Sequence, residues 1–147
     1  MSEYTISDPL SIGYYFELIA QKLTLAGFTA LREFSAVDSL IHHDEMIAYY
    51  RMTDCVITAS TVRRVDGVRY IEADCGFELR LFGKSCKFSD YIQFFDSCTK
   101  VFSGIVTDQE MLVVSLELGD TVQSMQLNRL QRDMHLTMRI CLKEEDQ

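Results

Sequence analysis

Proline is almost absent from this 147-residue chain, with one residue, and glycine is sparse at seven. No linker, low-complexity tract or internal repeat breaks the sequence, so residues 1–147 read as one domain. Basic residues are also few. Fourteen Lys and Arg stand against 22 Asp and Glu, a net charge of −8. Only Arg63-Arg64 are adjacent, and no Lys/Arg run is interleaved with aromatics. Phosphate-backbone binding, which depends on clustered cations, is therefore not expected. The longest near-continuous apolar stretch, around Met111 to Val114, falls far short of the about 20 residues that span a bilayer. Met1-Ser2-Glu3-Tyr4-Thr5 lacks the basic and apolar regions of a secretory signal, so a soluble product made in the cytosol is expected.

Chemistry-bearing patterns are equally scarce. The five cysteines (Cys55, Cys75, Cys86, Cys98 and Cys141) make an odd count without C-x-x-C spacing, which reads as free thiols rather than a disulfide framework. Neither G-x-G-x-x-G, G-x-x-x-x-G-K nor G-x-S-x-G occurs. His42-His43-Asp44-Glu45 is the densest group of potential metal ligands. Adjacent side chains diverge, however, and H-x-x-x-H is missing, so the group reads as a solvated loop. His135 and Cys141 share a strand face but lie about 20 Å apart by strand rise, too far for a dyad. No catalytic, metal or cofactor site is expected.

Apolar periodicity is plentiful: 48% of residues are hydrophobic, enough to offset the entropy of ordering the backbone. Residues 8–27 predict a helix, capped by Asp8, with Pro9 in the first turn and Gly27 as the stop. Its apolar face runs through Ile12, Tyr15, Phe16, Ile19, Leu23 and Ala26. Thr29 to Phe34 predicts a short strand, and 35–45 a loop. Met46 to Met52 and Asp54 to Arg64 predict strand, or one long strand bent near Thr53-Asp54. Asp66-Gly67 accepts the positive φ angles of a type I′ hairpin turn. The returning strand places Ile71, Ala73, Cys75, Phe77, Leu79 and Leu81 on one face. Glu72, Asp74 and Glu78 lie on the other, with Arg63 or Arg80 as cross-strand partners. A second helix is expected from Ser89 or Asp90 to Ser103, stopped by Gly104. Its stripe would be Tyr91, Phe94, Phe95, Cys98, Val101 and Phe102, with Phe95 a buried core residue. Strands at Leu112–Leu118 and Met134–Leu142 follow, separated by a polar arm over 119–131.

The order α-β-β-β-α-β-β, with alternating strands and two one-faced helices, predicts an α+β fold: a largely antiparallel sheet with both helices packed on one face. Two segments are candidates to reach a partner. One is the hairpin tip (Arg64, Asp66, Gly67 and Arg69). The other is the arm, where Val122, Met125, Leu127 and Leu130 sit amid Gln and Asn.

A capped N-terminal helix, a hairpin ending in Phe77-Glu78-Leu79-Arg80-Leu81-Phe82-Gly83, a helix over Asp90–Ser103 and a closing strand over Met134–Leu142 together resemble the tail-terminator, or tail-completion, proteins of long-tailed bacteriophages. The resemblance lies in pattern over nearly the whole chain rather than in a short motif. It implies a non-enzymatic virion assembly protein without cofactors. Such a protein forms a homo-hexameric ring, caps the tail tube and joins it to the head connector. Its acidic surface would let DNA slide through a lumen. Assembly would take place in the host cytoplasm. Other readings of the same fold are a head-completion or neck protein, or a small bacterial ligand-binding module with a Phe- and Tyr-lined pocket.

Overall fold

The computed structural model describes residues 12–31, 45–124 and 127–145. Asp8 and Pro9, the His42-His43-Asp44 part of the polar cluster, and Met125 lie outside these residues. Helix α1 spans Ile12–Leu25 and is followed by β1 at Thr29–Leu31. Two long strands come next, β2 at Ile47–Val65 and β3 at Val68–Phe82. Helix α2 covers Phe88–Thr107, and the chain returns through β4 (Leu112–Leu118), β5 (Val122–Ser124) and β6 (Arg129–Glu145). This is the expected order with one short strand added, in an α+β architecture.

The sheet runs β1-β2-β3-β6-β4, with β5 also paired to β6. Every pairing is antiparallel except β1 with β2. Both helices contribute to one core on one face. From α1 come Tyr15, Leu18, Ile19 and Leu23; from α2 come Phe94, Cys98, Val101 and Ile105. These meet Ala73, Cys75, Phe77, Leu79 and Leu81 of β3 and Met134, Leu136, Met138 and Ile140 of β6, the alternate residues that the pleat turns toward the helices. Gly27 ends α1 with φ 101°, as its position after the helix requires.

Local irregularities fall where the chemistry demands them. Asp66 and Gly67 take φ 51° and 79°, both positive, as a two-residue type I′ turn needs. β2 is a single strand whose register slips between Met52 and Asp54, which is the bend expected at Thr53-Asp54. Opposite the slip stands Gly76. Its N–H donates to Asp54 Oδ1 at 3.0 Å, and a Cβ there would lie 2.4 Å from the same oxygen, so only glycine lets the bulge close over β3.

Helix α2 departs from expectation in two ways. It passes through Gly104 to Thr107, because Ile105 is buried in the core. The side of α2 that faces the sheet is also rotated from the predicted stripe. Phe94, Ser97, Cys98, Val101 and Ile105 face inward, and Phe95, about 100° further round the helix, is 44% exposed. The sequence offered two overlapping apolar stripes, and the core uses the one that continues to Ile105. Lys22 closes the helix pair through a 2.6 Å ion pair with Asp108, just past the end of α2.

Within the arm, Val122–Ser124 is strand. β5 folds back on the start of β6, Val122 opposite Gln131 and Ser124 opposite Arg129, through a turn in which Asn128 has φ 54°. The closing strand accordingly begins at Arg129 rather than Met134. Arg129 is buried, donating Nη1 to the carbonyls of Glu45 at 2.7 Å and Gly83 at 2.9 Å.

Candidate interaction surfaces

The sheet face away from the helices is organised by charge. Arg51, Glu78, His135 and Glu117 stand in register across β2, β3, β6 and β4. Glu78 accepts from Arg51 Nε at 3.0 Å, with Arg80 at 3.8 Å on its other oxygen. In the next row Arg80 donates to the Tyr49 hydroxyl at 2.8 Å and lies 3.6 Å from Asp133. Burial pushes the Tyr49 phenol up, against the pull of Arg80. Nearer the hairpin tip, Arg139 meets Asp74 at 2.9 Å, and that hydrogen bond holds the Asp74 carboxyl below its ordinary value. Among the described side chains, Glu78 is thus partnered by Arg51, with Arg80 further off, and Asp74 by Arg139; the Arg63 side chain lies outside them. Arg51 precedes Glu78 by 27 residues and Arg139 follows Asp74 by 65, distances at which sequence pattern is silent.

Beside this network a second, small apolar cluster joins Ile47, Tyr49 and Phe82, with Leu31 and Leu127 packed on it. Of the arm candidates, Leu127 is thus half-buried in this cluster. Leu130 is buried in the main core, and Val122 is exposed. Of the tip candidates, Asp66 and Gly67 are exposed, and the backbones of Arg64 and Arg69 pair with each other one step below the turn. The tip and the arm lie at opposite ends of β6: β5 pairs with Arg129–Gln131, whereas Val68 at the tip pairs with Glu145. They do not form one site.

Two further surfaces were not anticipated. On α2, Phe88, Tyr91, Ile92 and Phe95 form an outward apolar stripe at offsets 0, 3, 4 and 7. The Tyr91 and Phe95 rings stack at 6.1 Å, and the Arg132 guanidinium lies 5.0 Å over Phe95, while its Nε donates to the Gly119 carbonyl. The second surface is β4, which among the described residues pairs with β6 on one side only and exposes Leu112 and Val114. A shallow recess lined by Val106, Met111, Leu112, Val114 and Arg139 lies alongside it.

Burial acts on two of the thiols. Cys75, buried beneath the helices, lies 3.0 Å from Cys55 on the neighbouring strand, and burial pushes it up to about 12. Cys98 is raised to about 12, again by burial. Among the described residues no group of three or more His, Cys, Asp or Glu converges on a metal position. No helix among them is long and apolar enough to cross a membrane.

The fold matches the sheath/tube terminator of an extracellular contractile injection system (PVC) in its extended state. The match has a TM-score of 0.57 and 9% sequence identity and covers 92% of this chain. The chain spans 57% of the length of that terminator. No protein-family model and no curated protein matches the sequence.

Proposed function

We propose that this chain is a tube terminator of a tail-like particle, a non-enzymatic assembly protein that caps a tail tube and stops its growth. The observation carrying this reading is the correspondence of 92% of the chain to the fold of a sheath/tube terminator. Identical copies form a ring, hexameric as in the resembling phage proteins. One face of the ring matches the tube and the other meets a head connector or its counterpart. A heterologous contact whose rotation closes gives such a ring, and its two faces necessarily differ. The hairpin tip around Arg64, Asp66, Gly67 and Arg69, and the exposed Val122, reach neighbouring proteins. The net charge of −8 suits a lumen through which a polyanion passes without adhering.

Deleting the chain from the particle that carries it is the direct test, with tube lengths measured by electron microscopy. Tubes of uncontrolled length, restored to uniform length by adding the purified chain, are expected. Particles of normal length and composition without it would overturn the reading.

A further inference from the structure

Among the described residues, the sheet leaves part of β2 without a neighbouring strand on one side and β4 without one on the other. β1 pairs with β2 only at Ile47–Tyr49, so among the described residues the outer edge of β2 over Met52–Ile57 has no strand beside it. Val56 there is 56% exposed, and Ile57, pointing to the opposite face, is half exposed. At the other side β4 pairs, among the described residues, only with β6, and Leu112 is also 56% exposed. Soluble proteins shield such edges with charge, proline or a covering element, because unpaired N–H and C=O groups recruit another strand. β4 carries one charge, Glu117, and no proline.

We infer that β4 of one copy pairs antiparallel with the Arg51–Val56 stretch of β2 in the next, so that the sheet continues from subunit to subunit. This rests on the ring proposed above and supplies the contact that builds it. Strand direction supports it. Each pairing from β2 through β3 and β6 to β4 is antiparallel, so β4 runs opposite to β2. A second copy placed alongside in the same orientation brings its β2 antiparallel to β4. Repeating that step is a heterologous contact, the kind that closes into rings.

Register and charge support it as well. Within the stretch that would pair, each strand skips one residue against its inner neighbour, β4 between Val113 and Ser115 and β2 between Met52 and Asp54. With Leu112 beside Val56, the two skips cancel and Glu117 falls beside Arg51. Val113 then meets Cys55 and Leu116 meets Met52 on the helix-covered face. Leu112 with Val56 and Glu117 with Arg51 lie on the charged face. Arg51 holds Glu78 at 2.9 Å, and its side chain is 44% exposed.

Two variants test the contact, each with one edge spoiled by a charge at a solvent-exposed position: Leu112→Lys on β4 and Val56→Lys on β2. Oligomeric state is read by native mass spectrometry, with circular dichroism confirming the fold. Wild type is expected to form a closed oligomer and each variant alone to be monomeric. An equimolar mixture is expected to form a heterodimer, because each variant retains the edge that the other lacks. A ring that survives both substitutions overturns the edge contact and leaves the terminator reading intact. Loss of association in Leu112→Lys alone, with no heterodimer, means that β4 pairs with β4 about a dyad, which also overturns it. So does a wild type that remains monomeric at millimolar concentration. Normal tubes after deletion of the chain would instead defeat the terminator reading, whatever the edges do.

Discussion

Phe77 and Glu78 are neighbours on β3 and almost equally hidden, at 1% and 7% exposure, yet they point to opposite faces of the sheet and are held by different physics. Phe77 sits under both helices in a close-packed apolar layer, edge-on to Phe16 with ring centroids 5.6 Å apart. Glu78 is enclosed by the stems and guanidinium groups of Arg51 and Arg80 and by its place in the middle of the sheet. The first face is stabilised in proportion to area removed from water, and tolerates exchange among apolar residues of similar volume. The second depends on partners of fixed charge and reach, and its contribution is the small difference between Coulomb gain and desolvation. One alternating strand thus serves two layers whose responses to mutation should differ.

The largest effect is expected from Phe77→Ala, which leaves a cavity in the helix-covered layer and should cost about 3–5 kcal/mol in urea unfolding. Phe95→Ala, on the outward side of α2, should cost under about 1 kcal/mol, since half of the ring is already in water. Equal losses would mean that α2 packs with the other stripe inward. Gly76→Ala forces a methyl against Asp54 and the Thr53 hydroxyl, and should cost about 1–3 kcal/mol, with exchange of β2 amides accelerated around the bulge. Glu78→Gln keeps the shape and removes the charge. A loss of about 1–2 kcal/mol is expected, reduced at high salt less than for an exposed pair because Glu78 is buried. A loss as large as that of Phe77→Ala would erase the distinction between the faces.

The smallest effect concerns the helix ends. Burial alone would push the Asp108 carboxyl up, but the Lys22 ion pair and the Glu110 amide hold it below its ordinary value of 3.8. A depressed carboxylate contributes stability that is present above its unfolded value and lost as pH falls through the folded one. Lys22→Met should therefore cost about 1 kcal/mol or less at neutral pH. The gap from wild type should narrow as pH is lowered below 3.8 in acid titrations of the unfolding midpoint.

These contrasts also mark what was legible in the sequence. Helix α1, the Asp66-Gly67 turn, the bend at Thr53-Asp54 and the inward residues of β3 were readable because each is a local periodicity or a residue with a special backbone preference. The burial of Glu78 was not, because it depends on an arginine 27 residues earlier. Nor was the early start of β6, where a buried Arg129 is satisfied by carbonyls 84 and 46 residues away. On α2, two aromatic stripes of similar strength competed, and only the neighbouring layer decides between them. The hairpin tip and the arm could be named from turn chemistry and polarity. The open edge of β4 became visible only once β6 was known to pair on one side of it.

The placement of β6 between β3 and β4 has a kinetic consequence. β2 and β3 are joined by a two-residue turn and can zip together within microseconds. The strand that covers the other side of β3 is made only after the whole of α2 and β4, so its closure carries the slow step of folding. Until it arrives, a nascent or refolding molecule displays a 15-residue strand with a free flank. Aggregation of this protein should therefore depend on how fast the last 17-residue strand docks more than on its equilibrium stability.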